Sequence, residues 1–224
     1  MNQYISALRG VFRKRWDKLW CRSHPHLRRL GEGPAWNLRT DLLTPKSVVL
    51  SGGVGRDISF ELQLAREYKC RIFLFDPSPT GRETMRLPEN QHPLIEYLDL
   101  GLAGTKKTVA FSPPKNSQEG SYSIPAGPLV ADVVSFECIS ISEFLRERGI
   151  PKLDVLKLDI EGFEYEVLQD VLANRIVPQQ LCVEFHDFLP GIPLSRTLGA
   201  IRNLRKSGLR LVHKDRCDLT FVRT

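Results

Sequence analysis

Ser47-Val-Val-Leu-Ser-Gly-Gly-Val-Gly-Arg-Asp57 and Arg71-Ile-Phe-Leu-Phe-Asp76 are the two runs whose reading decides the fold. Each opens as a short, uninterrupted apolar stretch of the kind that forms a strand buried on both faces. The first passes into a glycine loop and then, from Asp57 to Tyr68, into helical spacing through Ile58, Leu62 and Ala65. The second is stopped by Pro77, whose ring fixes φ and which has no N–H to donate to a neighbouring strand. Strand, helix and strand fit within about 30 residues, the size of a parallel crossover unit.

Working outward, the same alternation continues. Strands are expected at Leu94–Leu100, Leu153–Leu158, Gln180–Phe185, Leu209–Val212 and Leu219–Val222, with helices near Ile141–Arg148, Gly162–Ala173 and Ser195–Ser207. Strands alternating with helices predict an α/β domain with a mainly parallel, doubly wound sheet covered on both faces. The Pro- and Gly-rich stretch His24–Pro45 reads as a connection. Residues 112–132 carry Pro113, Pro114, Pro125 and Pro128 and read as a long loop at a substrate entrance.

The 224 residues suit one domain over residues 31–224, preceded by a basic amphipathic N-terminal segment over residues 1–30. In that segment Ile5, Leu8, Phe12, Trp16 and Leu19 recur at three- or four-residue steps with Arg and Lys between them. Such a helix packs on the protein's own core or lies on a membrane surface, and periodicity alone does not choose. The net charge of +6 is concentrated there: residues 1–30 hold eight basic side chains against Asp17, and the rest of the chain is slightly acidic. A basic face for nucleic acid is therefore not expected on the domain, whereas residues 1–22 could contact a membrane peripherally. No run reaches the roughly 18 apolar residues of a membrane span, and the first 30 residues lack a secretory apolar region, so a cytoplasmic location is expected. Cys21, Cys70, Cys138, Cys182 and Cys217 show no metal-type spacing and read as reduced thiols.

The chemistry begins at the loop. Glycines between a strand and its helix let a nucleotide approach the backbone, and Asp76 follows 21 residues after Gly55 at the tip of the next strand, where a carboxylate accepts ribose hydroxyls. Gly53-Val-Gly55-Arg-Asp-Ile58 has Ile where a dinucleotide fingerprint has its third glycine, and the chain has no G-K-[ST] phosphate loop. A ligand without phosphates, such as S-adenosylmethionine, suits this loop. Asp57 then either meets the ligand's ammonium or caps the helix. Gly53, Val54, Gly55, Asp57, Asp76 and Asp99 are the candidate cofactor residues.

The second informative run is Leu153-Asp-Val-Leu-Lys-Leu-Asp-Ile-Glu-Gly-Phe-Glu-Tyr-Glu-Val-Leu168, a buried strand leading into an acid-rich helix start. This run, the loop Ser51–Glu61 and Val183-Glu-Phe-His186 resemble the FkbM-type methyltransferases over about residues 45–190. The resemblance implies a Rossmann-like sheet of the class I methyltransferase type, S-adenosylmethionine as donor, and O-methylation of a sugar, polyketide or related product. It places Gly53, Gly55 and Asp57 in the cofactor loop and Asp76 at the ribose.

Read from the residues alone, Asp159 sits at a strand's carboxyl end, where open α/β sheets bind ligands, whereas Glu161, Glu164 and Glu166 fall in the first helical turns, where negative charge is favoured. Alternation puts Glu184 and His186 on one face of the next strand. The candidate catalytic residues are Asp159, His186, Glu161 and Glu184, with His186 either a general base for a hydroxyl or a satisfied core group. Without a His-rich spacing, no metal is expected. The expected reaction is methyl transfer to a hydroxyl of a small molecule, sugar or lipid-linked glycan. The alternative is a catalytically silent or membrane-associated donor-binding module.

Overall fold

A computed structural model describes residues 21, 24–114, 122–123 and 133–224. The expected helix over residues 1–22 lies almost wholly outside these residues, as does most of the loop over residues 112–132.

The strands are β1 (Leu27–Leu30), β2 (Trp36–Arg39), β3 (Val48–Gly52), β4 (Arg71–Phe75), β5 (Ile95–Leu98), β6 (Gly101–Leu102), β7 (Lys107–Phe111), β8 (Val134–Ile139), β9 (Val155–Leu158), β10 (Gln180–Glu184), β11 (Leu209–Asp215) and β12 (Asp218–Arg223). The helices are α1 (Ser59–Tyr68), α2 (Pro79–Arg86), α3 (Ile141–Glu147), α4 (Glu164–Ala173) and α5 (Leu194–Lys206). The central sheet has seven strands in the order β11-β12-β10-β9-β3-β4-β5. From β10 to β5 the pairings are parallel, while β12 runs antiparallel to both β10 and β11. The doubly wound sheet is thus as expected, closed on one side by a hairpin.

Two apolar layers hold this sheet. Leu50, Phe73, Leu156 and Leu181 point to one face, where they meet Phe144 of α3 and Leu168 of α4. Their sequence neighbours Val49, Ile72, Val155 and Cys182 point to the other, against Phe60 and Leu64 of α1. Every second residue changes face, so strands covered on both sides are apolar throughout. Each fully buried Leu or Phe contributes on the order of 1.5–3 kcal/mol.

Three stretches differ from the sequence reading. The supposed connection His24–Pro45 contains the β1–β2 hairpin, whose Leu30, Trp36 and Leu38 are buried against the α1 face of the sheet. Gly31 and Pro34 signalled a break but not that the chain doubles back, because only the sheet supplies the apolar surface that the hairpin covers. Residues 79–86 form α2, capped by the Ser78 hydroxyl accepting the Gly81 N–H at 3.0 Å and opened by Pro79. Strands β6, β8 and β7 form a separate three-stranded sheet beside the main one. Among the described residues no helix is long and apolar enough to cross a membrane.

The hairpin is tied to the sheet by one buried side chain. Gln180 of β10 is 1% exposed; its Oε1 accepts the Arg39 N–H at 2.8 Å and its Nε2 donates to the Arg39 carbonyl at 3.0 Å. Truncation strands both backbone groups, so Gln180→Ala should cost about 1–3 kcal/mol in denaturant unfolding, whereas Gln179→Ala, which removes one long side-chain bond to the Arg223 carbonyl at a half-buried position, should cost less.

Candidate active site

The order of the sheet creates the site. The chain leaves β3 for β4 and β5 on one side and resumes with β9 and β10 on the other, so the carboxyl ends of β3 and β9 diverge at a topological switch point. A crevice of about 470 Å³ opens there, lined by Gly53, Val54, Gly55, Asp57, Asp76, Lys157, Asp159, Glu161 and Glu184, among others. That is within the size range of small-molecule and cofactor sites.

The glycine loop forms the crevice floor. Gly53 has φ +89° and a Cβ there would stand 2.0 Å from the Asp159 carbonyl oxygen, so only glycine fits. Behind the loop the buried Lys157 ammonium donates to the carbonyls of Gly53 at 2.6 Å and Gly52 at 3.2 Å and lies 3.8 Å from Asp159 Oδ2. Buried Glu61 accepts the Ser51 hydroxyl at 2.5 Å; burial pushes its carboxyl above the ordinary range, opposed by the Lys157 charge and that hydrogen bond. Lys157 and Glu61 were not singled out in the sequence, although the one polar residue inside the apolar strand 155–158 was the available signal.

Asp76 is where the spacing placed it. Its Oδ2 accepts the Val54 N–H at 2.9 Å and its Oδ1 the Ser78 N–H at 2.8 Å, so it fastens the loop to the tip of β4. A carboxylate has about four acceptor positions and keeps some for a ligand. Asp57 also lines the crevice, and its Oδ1 accepts the Ser59 N–H at 2.8 Å at the start of α1. Asp57 thus closes a local turn before α1, whose N-cap position is Ile58, and keeps an edge that a ligand can reach. Asp99 is not among the lining residues: it forms a two-pronged pair with Arg82, both oxygens 2.9 Å from Nε, and is half exposed.

The four candidate catalytic residues converge opposite the loop. His186 is buried and its Nδ1 lies 2.8 Å from Glu164 Oε1, while Nε2 lies 3.4 Å from Glu161 Oε2 and 3.8 Å from Asp159 Oδ1. The same Glu164 oxygen accepts the N–H groups of Ile160 and Gly162, each at 3.1 Å. Glu161 and Gly162 both have positive φ, +53° and +105°, which turns the chain sharply between β9 and α4. Glu161 thus precedes the helix, Glu164 opens it, and Glu166 is paired with Lys107 at 2.8 Å outside this cluster.

This cage sets the charges. Burial disfavours the His186 imidazolium, but the Glu164 hydrogen bond and the charges of Glu164, Glu161 and Asp159 outweigh it and raise the ring's pKa to about 9. A near-neutral base at His186, the sequence expectation, is not what these surroundings provide. Burial, followed by repulsion from Asp159, instead lifts Glu184 to about 7.

One wall of the crevice was not anticipated. Phe111 of β7, Phe136 of β8, Tyr122 and Phe163 line it, with Phe111 stacked 4.8 Å from Phe163 and 5.3 Å from Phe136. Phe111 and Phe136 are brought side by side by the small second sheet, and Tyr122 and Phe163 pack against them from outside it.

Comparison with known proteins follows the same lines. The chain is 24% identical over 189 residues to the human probable methyltransferase-like protein 24, covering 80% of this chain and 45% of that protein. It is 26% identical over 119 residues to the hexuronic acid methyltransferase AglP of Haloferax volcanii, covering 53% of this chain and 48% of that protein. The chain thus spans about half the length of the curated relatives it matches. Among solved structures, Aeropyrum pernix fibrillarin with natively bound S-adenosyl-L-methionine superimposes with a TM-score of 0.41 at 11% identity, over 81% of this chain and 68% of that one. Residues 53–210, which hold the glycine loop and the whole acid cluster, match the methyltransferase FkbM domain, and the chain belongs to that family.

Proposed function

We propose that this protein transfers the methyl group of S-adenosylmethionine to a hydroxyl oxygen of a small molecule, sugar or lipid-linked glycan. The observation that carries this reading is the meeting, across one crevice, of a glycine loop fastened to Asp76 and the carboxylates of Asp159, Glu161 and Glu184, with buried His186 behind them. S-adenosylmethionine, when bound, supplies an activated methyl group. Gly53, Val54 and Gly55 would lie under it, Asp76 would take its ribose hydroxyls, and Asp57 would face its ammonium. Asp99, held by Arg82, is left out of the donor site.

The acceptor belongs on the opposite side. Carboxylates of Asp159, Glu161 and Glu184 would accept the hydroxyl's hydrogen bond, fix its oxygen in line with the methyl carbon and take up its proton as the C–O bond replaces the C–S bond. His186, locked by Glu164, would keep Glu161 and Asp159 in place. The aromatic wall of Phe111, Phe136 and Tyr122 offers flat apolar surface to a base or the face of a sugar ring. Similarity to a hexuronic acid methyltransferase supports a carbohydrate acceptor. Phe188, 61% exposed, lies with its ring tilted 5.3 Å from His186 and offers apolar surface suited to an acceptor with a lipid part.

The decisive experiment incubates the purified chain with methyl-labelled donor and hexuronic-acid-containing or lipid-linked glycans. The label should appear as an O-methyl ether; transfer only to nitrogen, or none to any acceptor in a source-cell extract, would overturn the reading. In calorimetry, Asp76→Ala should weaken donor binding by roughly 2–4 kcal/mol through loss of charge-assisted hydrogen bonds. Lys157→Met leaves Glu61 buried without its cation and frees the loop carbonyls, so it should lower stability by about 3–5 kcal/mol and weaken donor binding. Wild-type donor affinity in both variants would remove the loop from the donor site.

A further inference from the structure

Four carboxylates, those of Asp159, Glu161, Glu164 and Glu184, surround the single imidazole of His186. Lys157 donates to the carbonyls of Gly52 and Gly53 and lies 3.8 Å from Asp159 Oδ2. One ligand atom each from Asp159, Glu184 and His186 lies within 4.8 Å of the others. Donors on adjacent corners of a six-coordinate divalent ion stand about 3 Å apart, as bonds slightly above 2 Å require. Rotamer-scale movements therefore suffice to close the set.

The burial and partners of His186 provide a second, independent observation. The ring is 2% exposed, and Glu164, itself wholly buried and pinned by two backbone N–H groups, takes Nδ1 and leaves Nε2 turned toward Asp159 and Glu161. Histidines that ligate metals commonly give their other ring N–H to a carboxylate, which fixes the tautomer and aims the free nitrogen. A cation at Nε2 takes the place of the proton that Asp159 and Glu161 otherwise attract there.

We propose that Asp159, Glu184 and His186 Nε2 form a binding site for one divalent cation, with Glu164 as the outer carboxylate that orients the histidine. One imidazole with two carboxylates is an oxygen-rich, borderline donor set that suits Mn²⁺. The three donors come from the strand tips, on one side, so the remaining positions face the crevice. There an acceptor hydroxyl would bind the cation and lose its proton more readily. This last role rests on the methyl-transfer reading, whereas the cation site itself does not.

The test titrates Mn²⁺ into the full chain, free of donor and acceptor, and follows the free-ion electron paramagnetic resonance signal. One saturable site per chain is expected, weakened at least tenfold by Asp159→Asn and by Glu184→Gln, roughly 10- to 100-fold by Glu164→Gln, and unchanged by Glu96→Gln at an exposed pair elsewhere. Pulsed resonance on the wild-type complex should show coupling to an imidazole nitrogen, which His186→Gln abolishes. That signature stands even where a variant folds poorly by circular dichroism. Absence of saturable Mn²⁺ binding, binding indifferent to Asp159→Asn and Glu184→Gln, or complete displacement of Mn²⁺ by saturating S-adenosylhomocysteine would each overturn the site. Donor affinity measured without metal judges the methyl-transfer reading separately, so either can fail alone.

Discussion

The ammonium of Lys157 is the point on which the site depends. It stands in the middle of a strand that is apolar on both sides, and a lone cation there would be strongly destabilising. It is tolerated because two loop carbonyls, Asp159 and the nearby charge of Glu61 surround it. In return the ion holds the glycine loop of β3 against the tip of β9. Gly53 then passes so close to the Asp159 carbonyl that no side chain fits between them. The loop side and the acid side of the crevice are in this way parts of one hydrogen-bonded unit.

A second buried network fixes the other wall. Glu164 has one oxygen shared among two backbone N–H groups and the His186 ring. Its other oxygen is buried and finds no hydrogen-bond partner among the described residues. Removing such a group from water is costly, and the three bonds to the first oxygen offset that cost. The outcome is a histidine of fixed orientation with carboxylates on both sides. Its high proton affinity comes from that company, since burial alone would lower it.

The two networks meet at Asp159, which lies 3.8 Å from both Lys157 Nζ and His186 Nε2. A change at this carboxylate is therefore felt on both sides of the crevice. The aromatic wall, by contrast, joins Phe111 and Phe136 of the small second sheet to Phe163 of the turn before α4.

Much of this was legible in the sequence. The runs 47–57, 71–76 and 153–168 carry their own strand and helix signals, because residues buried on both faces must be apolar throughout and glycines must stand where the backbone is approached closely. Strand tips converge on the crevice in any sheet wound this way, so Asp76, Asp159, Glu184 and His186 could be named from position alone. What depended on contacts between distant stretches could not. The hairpin of Leu30, Trp36 and Leu38 looks like a connection until the sheet face it covers exists. Asp99 ends its strand as Asp76 does, yet Arg82 of α2 holds it away from the crevice lining. The protonation of His186 also follows from three carboxylates brought beside it by the turn at Glu161 and the start of α4, and electrostatic interaction depends on distance in space, which only the tertiary structure decides.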